Sequence, residues 1–134
     1  MNATVLVVED DPAMQRLLAS VLQDSAIEPV LLSNAEDALK RLPQDPPNLI
    51  LCDLNLPGMN GAAFIEALRA SDLAKTPVIL MSAHDEPPQH SANLFVSKPF
   101  DPFVVVDLVE EMIRNGQEVR DTQAPQADPL SAAS

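Results

Sequence analysis

Two adjacent acids, a lone aspartate, a serine and a lysine each stand where an apolar run of the chain ends. These residues are Glu9 and Asp10, Asp53, Ser82 and Lys98. Three carboxylates in one small crevice repel each other unless a cation joins them. Oxygen ligands with open positions favour a hard divalent ion such as Mg²⁺, which keeps several of its waters. We therefore expect a magnesium site if folding brings the three acids together.

A lysine ammonium and a serine hydroxyl beside such a site would suit the transfer of a phosphoryl group. They neutralise charge and orient donors, which is most of what this chemistry needs. Asp53 ends the central run and is the expected nucleophile. Each residue also has an ordinary interpretation, since Asp is common in turns and acids favour the start of a helix. The joint placement at four run ends favours the functional interpretation.

Short apolar runs alternate with amphipathic segments along the chain. The runs predict strands at Thr4–Val8, Pro29–Ser33, Leu49–Cys52, Pro77–Ser82 and Leu94–Ser97. Helices are predicted after Asp11, over Ala35–Leu42, after Gly61 and over Asp101–Ile113, with Asp11, Asn34 and Asp101 as caps. This alternation predicts an α/β fold: a parallel sheet with helices on both faces. The carboxyl ends of its strands can converge on one crevice.

The stretch His84–Asn93 does not follow this alternation of strands and helices. It contains the adjacent prolines Pro87 and Pro88 and has no apolar stripe. Proline in a helix interior removes a hydrogen bond and clashes with the preceding turn. We therefore expect a short or irregular connection here in place of a helix of normal length.

Composition narrows the class of protein. The 134 residues carry a formal net charge of −12, which argues against direct binding of nucleic acid or of an anionic membrane. The single cysteine, Cys52, allows no disulfide within the chain and is expected to be a small core residue. The first residues lack the pattern of a signal peptide, and no run is long enough to span a membrane. We expect a cytoplasmic protein.

The end of the chain differs in composition from the rest. Residues beyond Arg114 are polar, rich in Ala, Pro, Ser and Gln, and aperiodic. This composition is typical of a disordered tail or a linker. The predicted division is a folded domain over residues 1–115 and a tail or linker over residues 116–134.

Four motifs, VVEDDP, DLNLPGMNG, PVILMSA and FVSKPF, together resemble the receiver domain of two-component response regulators. The resemblance covers Ala3 to about Asn115, in the family's order and near its spacing. It implies a chemotaxis-regulator-like fold, a flavodoxin-like doubly wound sheet of five strands in the order 2-1-3-4-5. It also implies a protein that takes a phosphoryl group from a sensor histidine kinase or a histidine phosphotransfer protein.

The same resemblance implies roles for the acids and their neighbours. Asp53 would be the phosphoacceptor. Asp10 would bind Mg²⁺ directly, Glu9 would bind it through water or as a second acid, and Asn55 would contribute its backbone carbonyl. Lys98 would pair with the acyl phosphate.

Further roles concern the conformational switch. Ser82 would move onto the phosphate, and Phe95 would be the switch aromatic, with plain core packing as its alternative. Pro99 would follow a cis peptide bond. His84, two positions after Ser82, would tune the lifetime of the phosphate, unless it is only an exposed loop histidine.

The implied function is a signalling switch that transmits to a downstream target or output domain. Its only catalysis would be its own phosphorylation and dephosphorylation, so it would not be an enzyme in the usual sense. An alternative is an interaction module that keeps the fold without phosphorylation. A third possibility is a phosphatase with an aspartyl nucleophile. Such an enzyme would need an acid two residues after Asp53, where this chain has Asn55.

One departure from the family concerns the surface that usually reports the signal. Fewer residues separate Ser82 from Lys98 than the family normally has, and the missing length falls on the fourth helix. We therefore expect an altered reporting face and signalling through an unusual surface or a flexible segment. A regular, full-length fourth helix would refute this expectation.

Overall fold

The computed structural model describes residues 3–122, with side chains through residue 116. Five strands and four helices make up this part of the chain. The strands are β1 (Thr4–Val8), β2 (Glu28–Leu32), β3 (Leu49–Asp53), β4 (Val78–Ser82) and β5 (Leu94–Ser97). The helices are α1 (Pro12–Asp24), α2 (Ala35–Arg41), α3 (Gly61–Arg69) and α4 (Pro102–Thr122). None of these helices combines the length and the apolar composition needed to cross a membrane.

All strands are parallel, and their order in the sheet is β2-β1-β3-β4-β5. The predicted doubly wound sheet is confirmed, with β3 at its centre. The three inner strands are apolar except for one residue each, because both faces of the sheet are covered. These residues are Thr4 at the start of β1, Asp53 at the end of β3 and Ser82 at the end of β4. In β3, for example, all five residues are buried.

Side chains of successive strand residues point to opposite faces, so the sheet separates two cores. Leu49 and Leu51 pack with α1 and α4 on one face. Ile50 and Cys52 pack with α2 and α3 on the other. The prediction of helices on both faces and of Cys52 as a core residue is therefore confirmed.

Polar side chains fix where the helices begin. Each accepts a hydrogen bond from a backbone N–H of the first turn, which would otherwise lack a partner. The capping residues are Asp11, Asn34, Asn60 and Asp101. Three of these were predicted as caps, and Asn60 is the fourth.

The connection between β4 and β5, residues 83–93 (the 83–93 segment), is fully described and contains no helical residue. The expectation of a short or irregular fourth helix is confirmed. Arg69, at the end of α3, holds this segment in place. Its guanidinium donates to the carbonyl oxygen of Ser91 at 2.9 and 3.0 Å and to Oδ1 of Asn93 at 2.9 Å.

The same guanidinium also donates to the carbonyl oxygens of Ala74 at 2.8 Å and Thr76 at 2.6 Å, in the loop before β4. Asn93 then continues the sheet, since its Oδ1 accepts from the N–H of Val78 at 2.9 Å. One side chain therefore ties the α3–β4 loop to the end of the 83–93 segment.

The final helix is longer than predicted. It runs from Pro102 to Thr122, whereas its end was expected at Ile113 and a tail from residue 116. A helix that is already nucleated and packed gains a backbone hydrogen bond for each residue added, so its extension needs no apolar stripe. The remainder of the predicted tail, residues 123–134, lies outside the described residues.

Candidate functional site

The parallel sheet brings the predicted residues to one edge. Glu9 directly follows β1, Asp53 ends β3, Ser82 ends β4, and Lys98 directly follows β5. These are carboxyl ends of neighbouring strands, where open α/β sheets bind ligands. The convergence predicted from the sequence is therefore observed.

The three acids form one cluster. Glu9, Asp10 and Asp53 each offer a carboxylate oxygen, and these oxygens all lie within 4.8 Å of one another. Glu9 is 1% exposed and Asp53 5% exposed, while Asp10 is exposed to solvent. Such a half-open set of oxygen ligands fits a hard divalent cation that keeps several waters.

The electrostatic environment of Glu9 indicates which unfavourable interactions a bound cation would offset. Burial raises the pKa of the Glu9 carboxyl, and the charge of Asp53 raises it further. Hydrogen bonds from Lys98 and from the N–H of Asp11 act in the opposite direction but do not offset the burial. Ionisation of Glu9 therefore costs more in the fold than in water, and a bound cation would offset part of that cost.

Lys98 supplies part of that compensation. Its Nζ lies 2.8 Å from Oε1 of Glu9 and 3.4 Å from Oδ2 of Asp53. Burial on its own would lower the pKa of Lys98, but the hydrogen bond and charge of Glu9 and the charge of Asp53 outweigh it and raise the pKa. The ammonium is therefore held in its charged form within reach of the Asp53 carboxylate.

The loop after β3 orients the Asp53 side chain. The backbone N–H of Asn55 donates to Oδ1 of Asp53 at 3.2 Å. Gly61, the first residue of α3, lies against the end of the strand: a Cβ there would be 2.5 Å from the carbonyl oxygen of Asp53 and 2.8 Å from Cα of Leu54. Only glycine allows α3 to begin so close to the backbone beside Asp53.

Ser82 is completely buried at the end of β4. Its Oγ accepts the backbone N–H of His84 at 2.9 Å and lies 3.5 Å from Nδ2 of Asn55. Its carbonyl oxygen accepts the N–H of Lys98 at 2.7 Å. The hydroxyl is thus tied to the loop after β3 and to the start of the 83–93 segment.

The remaining predicted residues lie around this cluster. The His84 side chain is exposed, and the contact with Ser82 is made by its backbone. Phe95 is partly buried in the core beside α2 and α3, with its ring centroid 6.3 Å from that of His90. The Lys98–Pro99 peptide bond is cis, as the resemblance implied. The roles assigned to His84, Phe95 and the carbonyl of Asn55 stay predictions.

Two residues near the site were missed by sequence reasoning. Nε2 of Gln15, on α1, donates to the carbonyl oxygen of Glu9 at 2.6 Å and lies 3.3 Å from Oγ of Ser33. A carboxylate oxygen of Glu36, on α2, accepts the N–H of Met59 at 3.1 Å in the loop that follows Asp53. Gln15 could have been found from the sequence, because it is a polar residue between Met14 and Leu18, which face inward. The contact of Glu36 could not, because it joins elements far apart in sequence.

Comparison with known proteins agrees with this geometry. The family model described as the response regulator receiver domain matches residues 5–110. The transcriptional regulatory protein BaeR of Escherichia coli O6:H1 is 31% identical over 131 residues, covering 92% of this chain and 53% of that protein. The phosphate regulon transcriptional regulatory protein PhoB of Escherichia coli K12 is 29% identical over 143 residues, covering 98% of this chain and 62% of that protein.

Among solved structures, the chemotaxis response regulator CheY4 of Vibrio cholerae superposes with a TM-score of 0.77. It is 24% identical, and the match covers 84% of this chain and 99% of that one. This likeness supports the fold. The chain spans about half to three fifths of the length of the two curated relatives.

Proposed function

The chain belongs to the receiver domains of two-component response regulators, and on that premise we propose that Asp53 accepts a phosphoryl group from a phosphohistidine. The donor would be a sensor histidine kinase or a histidine phosphotransfer protein. The observation that carries the proposal is the placement of Lys98 Nζ 2.8 Å from Glu9 and 3.4 Å from Asp53, within a cluster of three acids.

In the proposed reaction an oxygen of the Asp53 carboxylate attacks phosphorus as the bond from phosphorus to the donor imidazole nitrogen breaks. The electron pair of that bond stays on the nitrogen. Glu9, Asp10 and Asp53, with the carbonyl of Asn55, would hold Mg²⁺, which would offset the negative charge of the phosphoryl oxygens. Lys98 is already charged beside Asp53 and would pair with one of those oxygens.

Ser82 would report the arrival of the phosphate. The hydroxyl now accepts from the N–H of His84, so its own hydrogen can be donated to a phosphoryl oxygen. A contact that exists only in the phosphorylated state biases the protein toward a second conformation. Phe95 would follow this movement, as the family resemblance implies.

The only catalysis under this proposal is self-phosphorylation and self-dephosphorylation. The signal would pass to a downstream protein target or output domain in the cytoplasm. A receiver fold that acts as an interaction module without phosphorylation is the alternative. The complete set of acids, Ser82 and Lys98 at one edge favours the phosphoacceptor, because a pure interaction module would not need them there.

The test is phosphorylation by a small donor. The protein is incubated with acetyl phosphate and Mg²⁺, and the intact mass is measured. We expect the mass of one labile phosphoryl group on the wild type and on Asp45→Asn, an exposed control, and none on Asp53→Asn. Chelation of Mg²⁺ should abolish the uptake. A wild type that gains no phosphoryl group would support the interaction module.

A further inference from the structure

The side chain of Gln15, on α1, contacts the backbone of Glu9 at the edge of the acid cluster. Nε2 of Gln15 donates to the carbonyl oxygen of Glu9 at 2.6 Å. Two other acceptors lie farther from the same nitrogen, the carbonyl oxygen of Leu32 at 3.4 Å and Oγ of Ser33 at 3.3 Å. The short bond to Glu9 is therefore the strongest of the three contacts.

The carbonyl of Glu9 depends on this donor. Glu9 is 1% exposed, so water has little access to its backbone. Its N–H donates to the carbonyl oxygen of Leu32 at 3.0 Å, but within residues 3–122 no backbone N–H donates to its carbonyl oxygen. A buried carbonyl without a donor costs free energy, and Gln15 supplies the donor from a side chain.

This hydrogen bond fixes the peptide group that carries Asp10. The carbonyl of Glu9 and the N–H of Asp10 belong to one planar unit. Asp10 is exposed and has few neighbours to orient its side chain, so the plane of this peptide determines where its carboxylate can lie. In the structure a carboxylate oxygen of Asp10 lies within 4.8 Å of those of Glu9 and Asp53. Rotation of the peptide would change both separations.

The first turns of α1 hold Glu9 at two points. The N–H of Asp11 donates to Oε2 of Glu9 at 3.1 Å, and Gln15 holds the carbonyl of the same residue. The N–H of Gln15 donates in turn to the carbonyl oxygen of Asp11 at 3.0 Å. Asp10 lies between these two attachments, so α1 sets the position of both acids that follow β1.

We propose that Gln15 is a positioning residue of the metal site, which orients the Glu9–Asp10 peptide so that the three acids bind Mg²⁺ together. The inference rests on the proposed function, because it takes the acid cluster to be the Mg²⁺ site. Gln15 acts through the backbone of Glu9 and is not itself a ligand. Loss of a residue that orients metal ligands typically weakens metal affinity about 10–100-fold. We expect the lower end of this range, because Asp10 is one ligand among several.

The test is a titration of the ¹⁵N-labelled protein with MgCl₂ at neutral pH, with the Kd obtained from the shifts of backbone amide resonances. Gln15→Met keeps the length of the side chain but removes the donor. We expect this variant to raise the Kd for Mg²⁺ about tenfold. The ¹⁵N resonance of Asp10 should also shift before any Mg²⁺ is added, because this nitrogen shares its peptide group with the Glu9 carbonyl.

Two control variants separate positioning from stability. Ser33→Ala removes the weaker contact of Gln15 and leaves the bond to Glu9, so it should change the Kd less than about twofold. Leu42→Ala removes a buried side chain where α2 ends, away from the acids. It should lower the thermal midpoint and leave the Kd unchanged.

The rate of phosphorylation by acetyl phosphate gives a second measurement. In Gln15→Met the Mg²⁺ concentration for half-maximal rate should rise about tenfold, while the rate at saturating Mg²⁺ stays within about twofold of the wild type. An unchanged Kd in Gln15→Met, or an equal rise in Leu42→Ala, would overturn the inference. If the wild type bound no Mg²⁺, the metal site and this role of Gln15 would both be refuted. Mg²⁺ binding with the expected loss in Gln15→Met, but without phosphoryl uptake by the wild type, would support the role of Gln15 and refute the phosphoacceptor.

Discussion

Replacement of Arg69 by methionine should release the 83–93 segment from α3. Methionine keeps an unbranched apolar stem but removes every donor. The lost contacts are those to the carbonyl oxygens of Ala74, Thr76 and Ser91 and to Oδ1 of Asn93. The guanidinium is partly withdrawn from water, and this burial lowers its pKa.

The size of the expected loss of stability follows from the part-buried hydrogen bonds of Arg69. The bonds to Ala74 and Thr76 are part-buried, whereas the acceptors on Ser91 and Asn93 are exposed and can turn to water. A hydrogen bond to a charged group contributes about 1.5–3 kcal/mol. Bonds that share one group do not add fully, so we expect a loss of about 3 kcal/mol in the free energy of unfolding. For a domain of this size the midpoint should fall by about 10 °C.

Urea unfolding followed by circular dichroism measures the loss, and Arg41→Met is the matched control. Arg41 pairs with Asp45 at 2.9 Å, but the two side chains are 42% and 56% exposed. Exposed pairs contribute about 0–1 kcal/mol, so this variant should stay close to the wild type. If Arg69→Met lost no more stability than Arg41→Met, the anchoring of the 83–93 segment by Arg69 would be refuted.

Three further outcomes test the site. Gly61→Ala should destabilise the protein by about 2 kcal/mol, because the added Cβ would lie 2.5 Å from the carbonyl oxygen of Asp53. The control is Gly116→Ala, whose added Cβ would have no other atom within 4 Å, and in the same urea assay it should stabilise its helix slightly. A raised pKa of Glu9 in the fold means that this group favours folding at low pH and loses that contribution as pH rises through its folded pKa. Mg²⁺ competes with the proton for Glu9, so it should raise the thermal midpoint more as pH rises above the ordinary pKa of a carboxyl group. At tenfold excess over Kd the gain is about 1.4 kcal/mol. A gain that does not increase with pH would contradict a site at Glu9. His84→Ala should change the rate of dephosphorylation with uptake intact, and an unchanged rate would discard a tuning role for His84.

The sheet and the acid cluster could be predicted because their signals are local. The apolar run Leu49–Cys52 is short, bounded by turn residues and continuous, which indicates a strand buried on both faces. Once strands and helices alternate, topology leaves few arrangements, and the carboxyl ends must meet at one edge. The proximity of Asp53, Ser82 and Lys98 could therefore be predicted from the sequence.

Contacts between distant elements could not be predicted in the same way. Arg69 stands in a helix where a basic residue in the last turn is ordinary, and nothing near it in sequence points to Ser91. Glu36 likewise lies 23 residues from its partner Met59. The end of α4 was missed for another reason, since propagation of a packed helix requires no periodic apolar signal.

The 83–93 segment lacks a helix, yet both of its ends are fixed to the sheet. At one end the N–H of His84 donates to Oγ of Ser82 at 2.9 Å. At the other end the N–H of Asn93 donates to the carbonyl oxygen of Val78 at 2.9 Å. If Ser82 moves toward a phosphoryl group, only the contact with His84 is affected, and Asn93 stays bound to Val78. Arg69 continues to anchor Ser91 and Asn93, so the movement of a connection without a rigid helix is confined to its first residues. A regular helix would carry the displacement along its length as one body, whereas here the residues next to Ser82 would move while Ser91 and Asn93 keep their contacts with Arg69.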